Sequence, residues 1–296
     1  MDRNRTFSML ICTLLLLTAA CSRTSTEQKP SVERREVRDD LGRPVKVPAR
    51  IERAVSLAPN LTENVFAVGA GDRLVGVTTF CDYPEEARSI RKIGDTMNPN
   101  LEAIIALKPD VVLVSTASQI ETFSRTLADN GIAVYVTDPN SLEGVMQNLR
   151  QLGELFGTSD KAEILASDLQ TRVDAVFNKT GGRAPVRVFV QISNEPLFTI
   201  GKQSFLTDFL RKAGAESVTA GVEMGYPKLS KETAAALNPD VIILSESPDN
   251  TEPNTVFRNS PAVKSGRVTR INADLLSRPG PRLVDALEQI SEKLHQ

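Results

Sequence analysis

The chain has 296 residues, of which 41% are hydrophobic and 24% charged, and its formal net charge is −2. This length and apolar content suit one large or two modest globular domains. The near-balanced charge provides no basic surface of the kind that binds nucleic acid, so that class of partner is excluded.

The first 21 residues are organised as an export signal. Arg3 and Arg5 precede the apolar run MLICTLLLLTAA, which ends in small residues before Cys21. The run is too short for a spanning helix, so a secretory signal peptide is predicted. The stretch LTAAC also resembles a bacterial lipoprotein processing site, which implies an acylated Cys21 that anchors the mature protein to a membrane. The alternative is an ordinary signal peptide with a chance cysteine.

Residues 22–35, SRTSTEQKPSVERR, contain a single aliphatic residue among many charges and hydroxyls, which predicts a flexible tether. Beyond the tether, Cys81 is the only cysteine, so no intramolecular disulfide is expected. We expect Cys81 to be a small, buried packing residue; the alternative is a thiol that lines a cleft.

Residues 36–140 are predicted to form a first α/β lobe with a leading hairpin. The hairpin signal is VRDDLGRPVKV, with β-prone ends around Asp-Asp-Leu-Gly. Short runs rich in Val, Ile and Leu then alternate with helical runs, such as LEAIIALK followed by DVVLVS. This alternation is typical of a parallel sheet covered by helices on both faces.

Residues 141–183 are predicted to hold connecting helices, including one long helix. Apolar residues recur at helical spacing from Ala162 to Phe177, Thr158 or Ser159 can cap the start, and Gly181-Gly182 ends the pattern. About twenty residues at ~1.5 Å rise give a rod of roughly 30 Å. A single stiff connection of this kind allows a cleft between lobes but resists large hinge closure.

Residues 184–296 repeat the order of the first lobe. LEAIIALKPDVVLVS (101–115) and KETAAALNPDVIILS (231–245) share seven of fifteen residues, and LTENVFAVGA (61–70) and LTDFLRKAGA (206–215) share four of ten. Two elements matching in the same order indicate two related lobes. The predicted fold is therefore α/β, with two Rossmann-like lobes joined by a single long helix.

Enzyme signatures are missing from the sequence. It contains no Gly-x-Ser-x-Gly elbow, no phosphate-binding loop and no Gly-x-Gly-x-x-Gly after a strand. The only histidine, His295, is next to the C-terminus and is expected to be a solvated tail residue, so neither a nucleophile with a histidine base nor a histidine-rich metal site is predicted. The prediction is a binding protein without catalytic residues, cofactor or metal.

In parallel α/β sheets, ligands contact the loops beyond the carboxyl ends of the strands. The aromatic residues of those loops suit a large, flat, partly apolar ligand, although Phe198 and Phe205 could instead be core residues. Arg278 is the better of two arginines for an amide, phosphate or carboxylate of the ligand, because Arg282 could simply cover the first turn of the last helix. The loop aromatic residues are Phe80, Tyr83, Phe198, Phe205 and Tyr226.

Four motifs carry a resemblance to a known family: AVSLAPNLTENVFAVGAGDRLVGVTTFCDYPEEA, NLEAIIALKPDVVLV, FTIGKQSFLTDFLRKAGAESV and RPGPRLVDALE. Through them the chain resembles, from about residue 36 onward, the periplasmic-binding proteins for vitamin B12 and ferric siderophores, which deliver ligand to an ABC importer. Within that family the motifs favour the cobalamin-binding branch. The resemblance implies that Phe80 lies against a corrin, that Asp274 and Arg278 contact the ligand from the second lobe, and that Tyr226 replaces an aromatic residue there. The cleft tryptophans of the B12 receptors are missing, with Thr96 near one such position.

Glu102 and Glu232 occupy the same place in the two copies. Asn100 and Ser230 are good N-cap residues, so each carboxylate is expected in a first helical turn, where the helix dipole favours it. The resemblance implies a further role, docking on arginines of a two-fold symmetric permease.

The expected function is that of an extracytoplasmic lipoprotein, a monomer held at a bacterial membrane in the periplasm or at the cell exterior. It would bind a corrinoid such as cobalamin and pass it to an ABC importer with its permease dimer and ATPase subunits. The alternatives are a ferric-siderophore or haem receptor of the same fold, favoured by Arg278, Arg282 and Lys202, and, in another class, an enzyme resembling a metal chelatase.

Overall fold

The computed structural model describes residues 33–116 and 120–295, with side chains in the second range from residue 124 onward. The predicted signal peptide, Cys21 and tether residues 22–32 fall outside the described residues. None of the helices in the described ranges combines the length and the apolar character needed to cross a membrane.

An antiparallel hairpin of β1 (Arg34–Arg38) and β2 (Pro44–Pro48) precedes the first lobe. β1 contains Arg34 and Arg35, the last two residues of the expected tether, so that boundary was placed too late. The reason is tertiary: the guanidinium of Arg35 donates to the backbone carbonyls of Glu154 and Leu155, at 3.0 and 2.7 Å. This contact fastens the start of the strand to a later helix.

The first lobe is a four-stranded parallel sheet with helices on both sides. Its strands stand in the order β4-β3-β5-β6. Its elements are β3 (Ala54–Ser56), α1 (Pro59–Ala67), a 3-10 turn (Gly71–Arg73), β4 (Leu74–Val77), a second 3-10 turn (Glu85–Ser89), α2 (Leu101–Ala106), β5 (Val111–Ser115), α3 (Ile120–Asp129) and β6 (Ala133–Thr137).

The strands of this sheet are apolar throughout because both faces are covered. In β5, Val111 and Leu113 belong to one hydrophobic cluster, whereas Val112 and Val114 belong to another on the opposite face. Since successive side chains of a strand point to opposite faces, a continuous apolar run fills two cores at once.

Two antiparallel helices connect the lobes, α4 (Leu142–Phe156) and α5 (Ser159–Thr180). They pack closely because position 153 is glycine: a Cβ there would lie 2.3 Å from that of Ala162. Gly157 ends α4 in the left-handed conformation, with φ of 68°. At ~1.5 Å per residue α5 is roughly 33 Å long, the rod that the sequence predicts.

The second lobe is a separate four-stranded parallel sheet with the order β10-β9-β7-β8. Counted within each lobe, the strand order is the same, so the two lobes share one topology. Its elements are β7 (Val186–Gln191), α6 (Phe205–Lys212), β8 (Ala215–Ser217), α7 (Lys231–Ala236), β9 (Val241–Glu246), a 3-10 turn (Thr255–Phe257), α8 (Pro261–Lys264), β10 (Val268–Asn272), α9 (Ala273–Ser277) and α10 (Arg282–Leu294).

The duplication extends to details of the helix ends. Lys108 and Asn238, which follow α2 and α7, both have positive φ, 47° and 42°. Each helix end is also capped by an arginine, because Arg53 donates to a carbonyl just beyond α2 at 2.7 and 3.0 Å, and Arg187 donates to two carbonyls beyond α7 at 3.1 and 3.2 Å. The same Pro-Asp turn is thus built twice in the same way.

The lobes share one continuous apolar core along the connecting helices. A single cluster includes Leu61 of α1, Leu149 of α4, Leu169 of α5 and Leu287 of α10. In addition, Arg172 of α5 forms ion pairs of 2.6 and 2.7 Å with two carboxylates of α10. The connection is therefore packed against both lobes, which opposes large hinge motion.

Three features of the second lobe did not follow from the sequence. Two of them are the short strand β8 and the helix α9 that precedes Arg282. His295 is half-buried rather than solvated, with Nε2 3.2 Å from the carbonyl oxygen of Ala213. All three features depend on tertiary contacts, which the local sequence pattern does not reveal.

Candidate functional site

The carboxyl edges of the two sheets face each other. Because the strands of each sheet are parallel, the helices return antiparallel and begin at the carboxyl edge. α1 begins at that edge of the first sheet and α10 at that edge of the second, and the second turn of α1 contacts the start of α10: Glu63 accepts hydrogen bonds from Arg282 at 2.5 and 2.8 Å. The groove between the lobes is thus bordered by the loops that the sequence indicated.

A group of five charged residues joins the two edges, and we call it the inter-lobe charge cluster. Arg278 lies at its centre, with Nη1 2.9 Å from both Glu63 Oε1 and Asp82 Oδ1, and Nη2 2.8 Å from Asp274 Oδ1. Arg282 completes the cluster through Glu63. Glu63 and Asp82 belong to the first lobe and the other three to the second, so every one of these contacts except Arg278–Asp274 crosses the groove.

The cluster has a buried centre and a solvent-exposed rim. The side chain of Glu63 is 3% exposed and that of Arg278 is 11% exposed, whereas those of Asp82 and Asp274 are 48% and 41% exposed. A buried carboxylate is stable only when it is paired, and Glu63 has two guanidinium partners. Asp82 and Asp274 meet the same arginine from the solvent side.

The pairing also shifts proton affinities. Burial opposes the charged form of Asp82, but the hydrogen bond from Arg278 and the charge of its guanidinium outweigh it and lower the pKa of the Asp82 carboxyl. Burial likewise opposes the charged form of Arg278, yet its hydrogen bonds to Glu63 and Asp82 raise the pKa of that guanidinium. Asp82 and Arg278 therefore both carry their charges at neutral pH.

The aromatic residues of the first lobe border this cluster. The Arg282 guanidinium lies over the Tyr83 ring, 3.9 Å from its centroid, a cation–π contact. A cavity of about 350 Å³ opens beside them, lined in part by Phe66, Tyr83 and Pro281. Phe80, two residues before Asp82, is 60% exposed. Tyr83, Asp274 and Arg278 therefore lie in or against the cluster, and Phe80 is close to it along the chain. Ligand binding by these four residues stays a prediction.

Tyr226 belongs to the second lobe and lies in a firmly held turn. Gly201 N–H donates to the Gly225 carbonyl at 2.9 Å and Thr199 N–H to the Pro227 carbonyl at 3.1 Å, so the turn is pinned on both sides of Tyr226. The tyrosine is 46% exposed. It follows β8 and so lies at the carboxyl edge of the second sheet, but no contact joins it directly to the cluster within the described residues.

Sequence reasoning missed two exposed methionines in the same loops. Met97 and Met224 are 47% and 54% exposed. Met97 is presented by a tight turn in which Asp95 Oδ1 accepts from the N–H groups of Met97 and Asn98, at 2.8 and 2.6 Å. The signal that could have found them is their position in the loops that precede the N-caps of α2 and α7.

Other expectations about these loops had mixed outcomes. Phe205 packs against the core, which agrees with the alternative that it is a core residue, and Phe198 is half-buried. Cys81 is 1% exposed, with Sγ 3.1 Å from the hydroxyls of Thr62 and Thr78, so it is a buried packing residue. Arg282 does not merely cover its helix, because it pairs with the opposite lobe.

Glu102 and Glu232 occupy equivalent places. Both side chains are exposed at the starts of α2 and α7, where Asn100 Oδ1 and Ser230 Oγ accept the capping hydrogen bonds at 2.9 and 3.1 Å. Hydrogen bonds from its own backbone N–H and from Ser230 lower the pKa of Glu232. The expected capping geometry is present in both copies. Each helix start lies at the carboxyl edge of its sheet.

Across the described ranges, no group of three or more His, Cys, Asp or Glu side chains is arranged to hold a metal ion. The loops at the carboxyl edges offer exposed aromatic and thioether side chains as well as a paired cluster of charges, a combination suited to binding.

Comparisons with known proteins agree with this geometry. Residues 55–275 match the family model described as Periplasmic binding protein. The chain is 34% identical over 248 residues to a "Vitamin B12-binding protein" of Vibrio vulnificus, with 82% of this chain and 90% of that protein covered. It is 31% identical over 281 residues to an "Uncharacterized ABC transporter substrate-binding lipoprotein YvrC" of Bacillus subtilis, with 92% and 89% covered.

Solved structures agree as well. The "periplasmic Vitamin B12 binding protein BtuF of Vibrio cholerae" superposes with a TM-score of 0.74 at 29% identity, covering 82% of this chain and 96% of that one. A "Periplasmic Heme Binding Protein from Pseudomonas aeruginosa" reaches 0.73 at 26% identity, covering 81% and 91%.

Proposed function

This chain belongs to the family of periplasmic binding proteins, and on that premise we propose that it is the substrate-binding lipoprotein of an ABC importer for a corrinoid. The observation that carries the proposal is the meeting of two lobes of like topology through the inter-lobe charge cluster, with Tyr83 against Arg282 and with Phe80 and Tyr226 exposed in loops at the carboxyl edges. The relatives named for vitamin B12 support the same ligand class. A large planar ligand with amide side chains suits a surface of aromatic rings and fixed polar groups.

Binding is tested by calorimetry with cyanocobalamin, haemin and a panel of ferric siderophores, combined with thermal unfolding. A ligand present at a hundred times its Kd stabilises the folded state by about 2.7 kcal/mol. We expect cyanocobalamin to give this stabilisation. If haemin or a siderophore stabilises the protein and cyanocobalamin does not, the corrinoid assignment is wrong and the haem or siderophore alternative, which the Pseudomonas aeruginosa neighbour supports, takes its place.

The contact with the importer is proposed for Glu102 and Glu232. Two exposed carboxylates, one per lobe and both at the carboxyl edges, suit a two-fold symmetric permease that offers a basic residue to each. Such pairs set orientation and association rate more than affinity. We infer that the protein acts as a monomer, since one molecule presents both carboxylates.

Export and anchoring are proposed from the N-terminal sequence. Acylation of Cys21 would hold the protein at the outer face of a bacterial membrane, and the relative named a lipoprotein supports this. Cells that express the wild type and Cys21→Ser are labelled with a fatty-acid analogue and fractionated. We expect label and membrane association for the wild type alone, and equal labelling of both would exclude acylation at Cys21.

A further inference from the structure

The cations of the groove are already paired within the protein. Arg278, Arg282 and Lys202 are the three cations that would favour an anionic chelate. Arg278 and Arg282 are held by the inter-lobe charge cluster, and Lys202 Nζ lies 2.5 Å from Glu223 Oε1. Each therefore has a carboxylate partner before any ligand arrives.

The charges around Asp82 also balance. Arg88 donates from Nε to the Asp82 carbonyl oxygen at 3.1 Å, and its charge lowers the pKa of the Asp82 carboxyl. Together with the cluster, this makes three guanidinium groups and three carboxylates, with no net charge. An anionic ligand would gain no attraction from such a set unless it displaced a carboxylate, which the dry contact between Glu63 and the arginines opposes.

We propose that Asp82 and Glu63 are specificity-determining residues that neutralise Arg278 and Arg282 and so exclude anionic chelates from the groove, in favour of ligands without net charge. This inference rests on the proposed function, since it concerns the ligand of the same groove. The two carboxylates have different roles. Glu63 pairs with both arginines on the buried side and holds them in place, whereas Asp82 neutralises Arg278 on the side that faces the ligand.

The test is the charge preference of Asp82→Asn. The substitution keeps the shape of a rim side chain that is 48% exposed, so the fold is preserved. It leaves three guanidinium groups, Arg88 included, with the two carboxylates of Glu63 and Asp274, so that this set gains one excess positive charge. Affinities for cyanocobalamin, which is uncharged, and for an anionic ferric tris-catecholate are measured by calorimetry at low and high salt. The wild type is expected to prefer cyanocobalamin. In Asp82→Asn the affinity for the chelate is expected to rise about tenfold at low salt, with the gain shrinking at high salt.

Asp168→Asn is the matched control, because it removes one carboxylate from an exposed position on α5, away from the groove. It is expected to leave both affinities unchanged. Glu63→Gln is a second variant that should shift the preference in the same direction as Asp82→Asn.

The outcomes separate the two proposals. If Asp82→Asn changes chelate affinity no more than Asp168→Asn does, or if the wild type binds both cyanocobalamin and the chelate with equal affinity, the charge-exclusion inference is overturned. If the wild type fails to bind cyanocobalamin while Asp82→Asn still gains affinity for the chelate, the proposed ligand is wrong and the inference stands.

Discussion

Glu63→Gln removes the charge at the buried centre of the inter-lobe charge cluster without changing the size of the side chain. In the wild type this carboxylate is 3% exposed and accepts from Arg278 at 2.9 Å and from Arg282 at 2.5 and 2.8 Å. Glutamine keeps one acceptor oxygen, but its amide NH₂ is itself a donor and would face the guanidinium N–H groups of the two arginines. Two guanidinium groups thereby lose their shared anion.

The expected loss of stability depends on the partners that Arg278 and Arg282 keep in the variant. Breaking a fully buried ion pair costs about 3–5 kcal/mol, because the remaining charge has no partner. Here Arg278 keeps Asp82 and Asp274, and Arg282 keeps the Tyr83 ring and is 20% exposed. We therefore expect Glu63→Gln to lower the free energy of unfolding by about 2–3 kcal/mol.

Urea unfolding at pH 7, followed by circular dichroism, measures this loss. Glu163→Gln is the matched control, since its ion pair with Arg150 is exposed on both sides and such pairs contribute little. The apolar core is continuous between the lobes, so a single transition is expected for both variants. Equal midpoints for Glu63→Gln and Glu163→Gln would refute the view that the cluster holds the lobes together.

Three further outcomes are expected. Reversing the charge of both Glu102 and Glu232 to Lys should abolish stimulation of the importer's ATPase while ligand affinity stays as it was; loss of ligand binding would contradict the docking role. Phe80→Ala should weaken ligand binding about tenfold without a change in the unfolding midpoint, since the ring is 60% exposed, and unaltered calorimetric affinity would remove Phe80 from the site. Glu288→Gln should cost about 0.5 kcal/mol at pH 7, because the hydrogen bond from Arg172 lowers the pKa of a carboxyl that is 41% exposed. A lowered pKa stabilises the fold above the unfolded pKa of about 4.3, so unfolding curves of wild type and variant should converge as pH falls below it, and a constant difference would exclude this linkage.

The two-lobed plan was readable from the sequence because its determinants are local. A run such as DVVLVS carries the apolar pattern of a strand covered on both faces, and the repeat of LEAIIALKPDVVLVS shows that one topology is used twice. The N-caps Asn100 and Ser230 lie within three residues of the N–H groups that they accept from, so they too were predictable.

The site was only partly predictable. The loops that carry Phe80 and Arg278 follow from the strand order, since parallel strands end at one edge. The sequence did not reveal that Arg278 is engaged by three carboxylates, or that Met97 and Met224 are held in solvent. Those facts depend on how turns and lobes are packed.

What the sequence by itself determined is therefore the duplicated α/β plan, the connecting helix and the edges where a ligand would bind, since hydrophobic periodicity and capping act over a few residues. The tertiary structure alone decided the electrostatic character of the groove. Glu63 and Arg278 are 215 residues apart and meet only after both lobes have folded against α4 and α5. The sequence tells which residues are charged and with which sign. Whether such a residue is paired depends on which partner the fold brings within 3 Å of it.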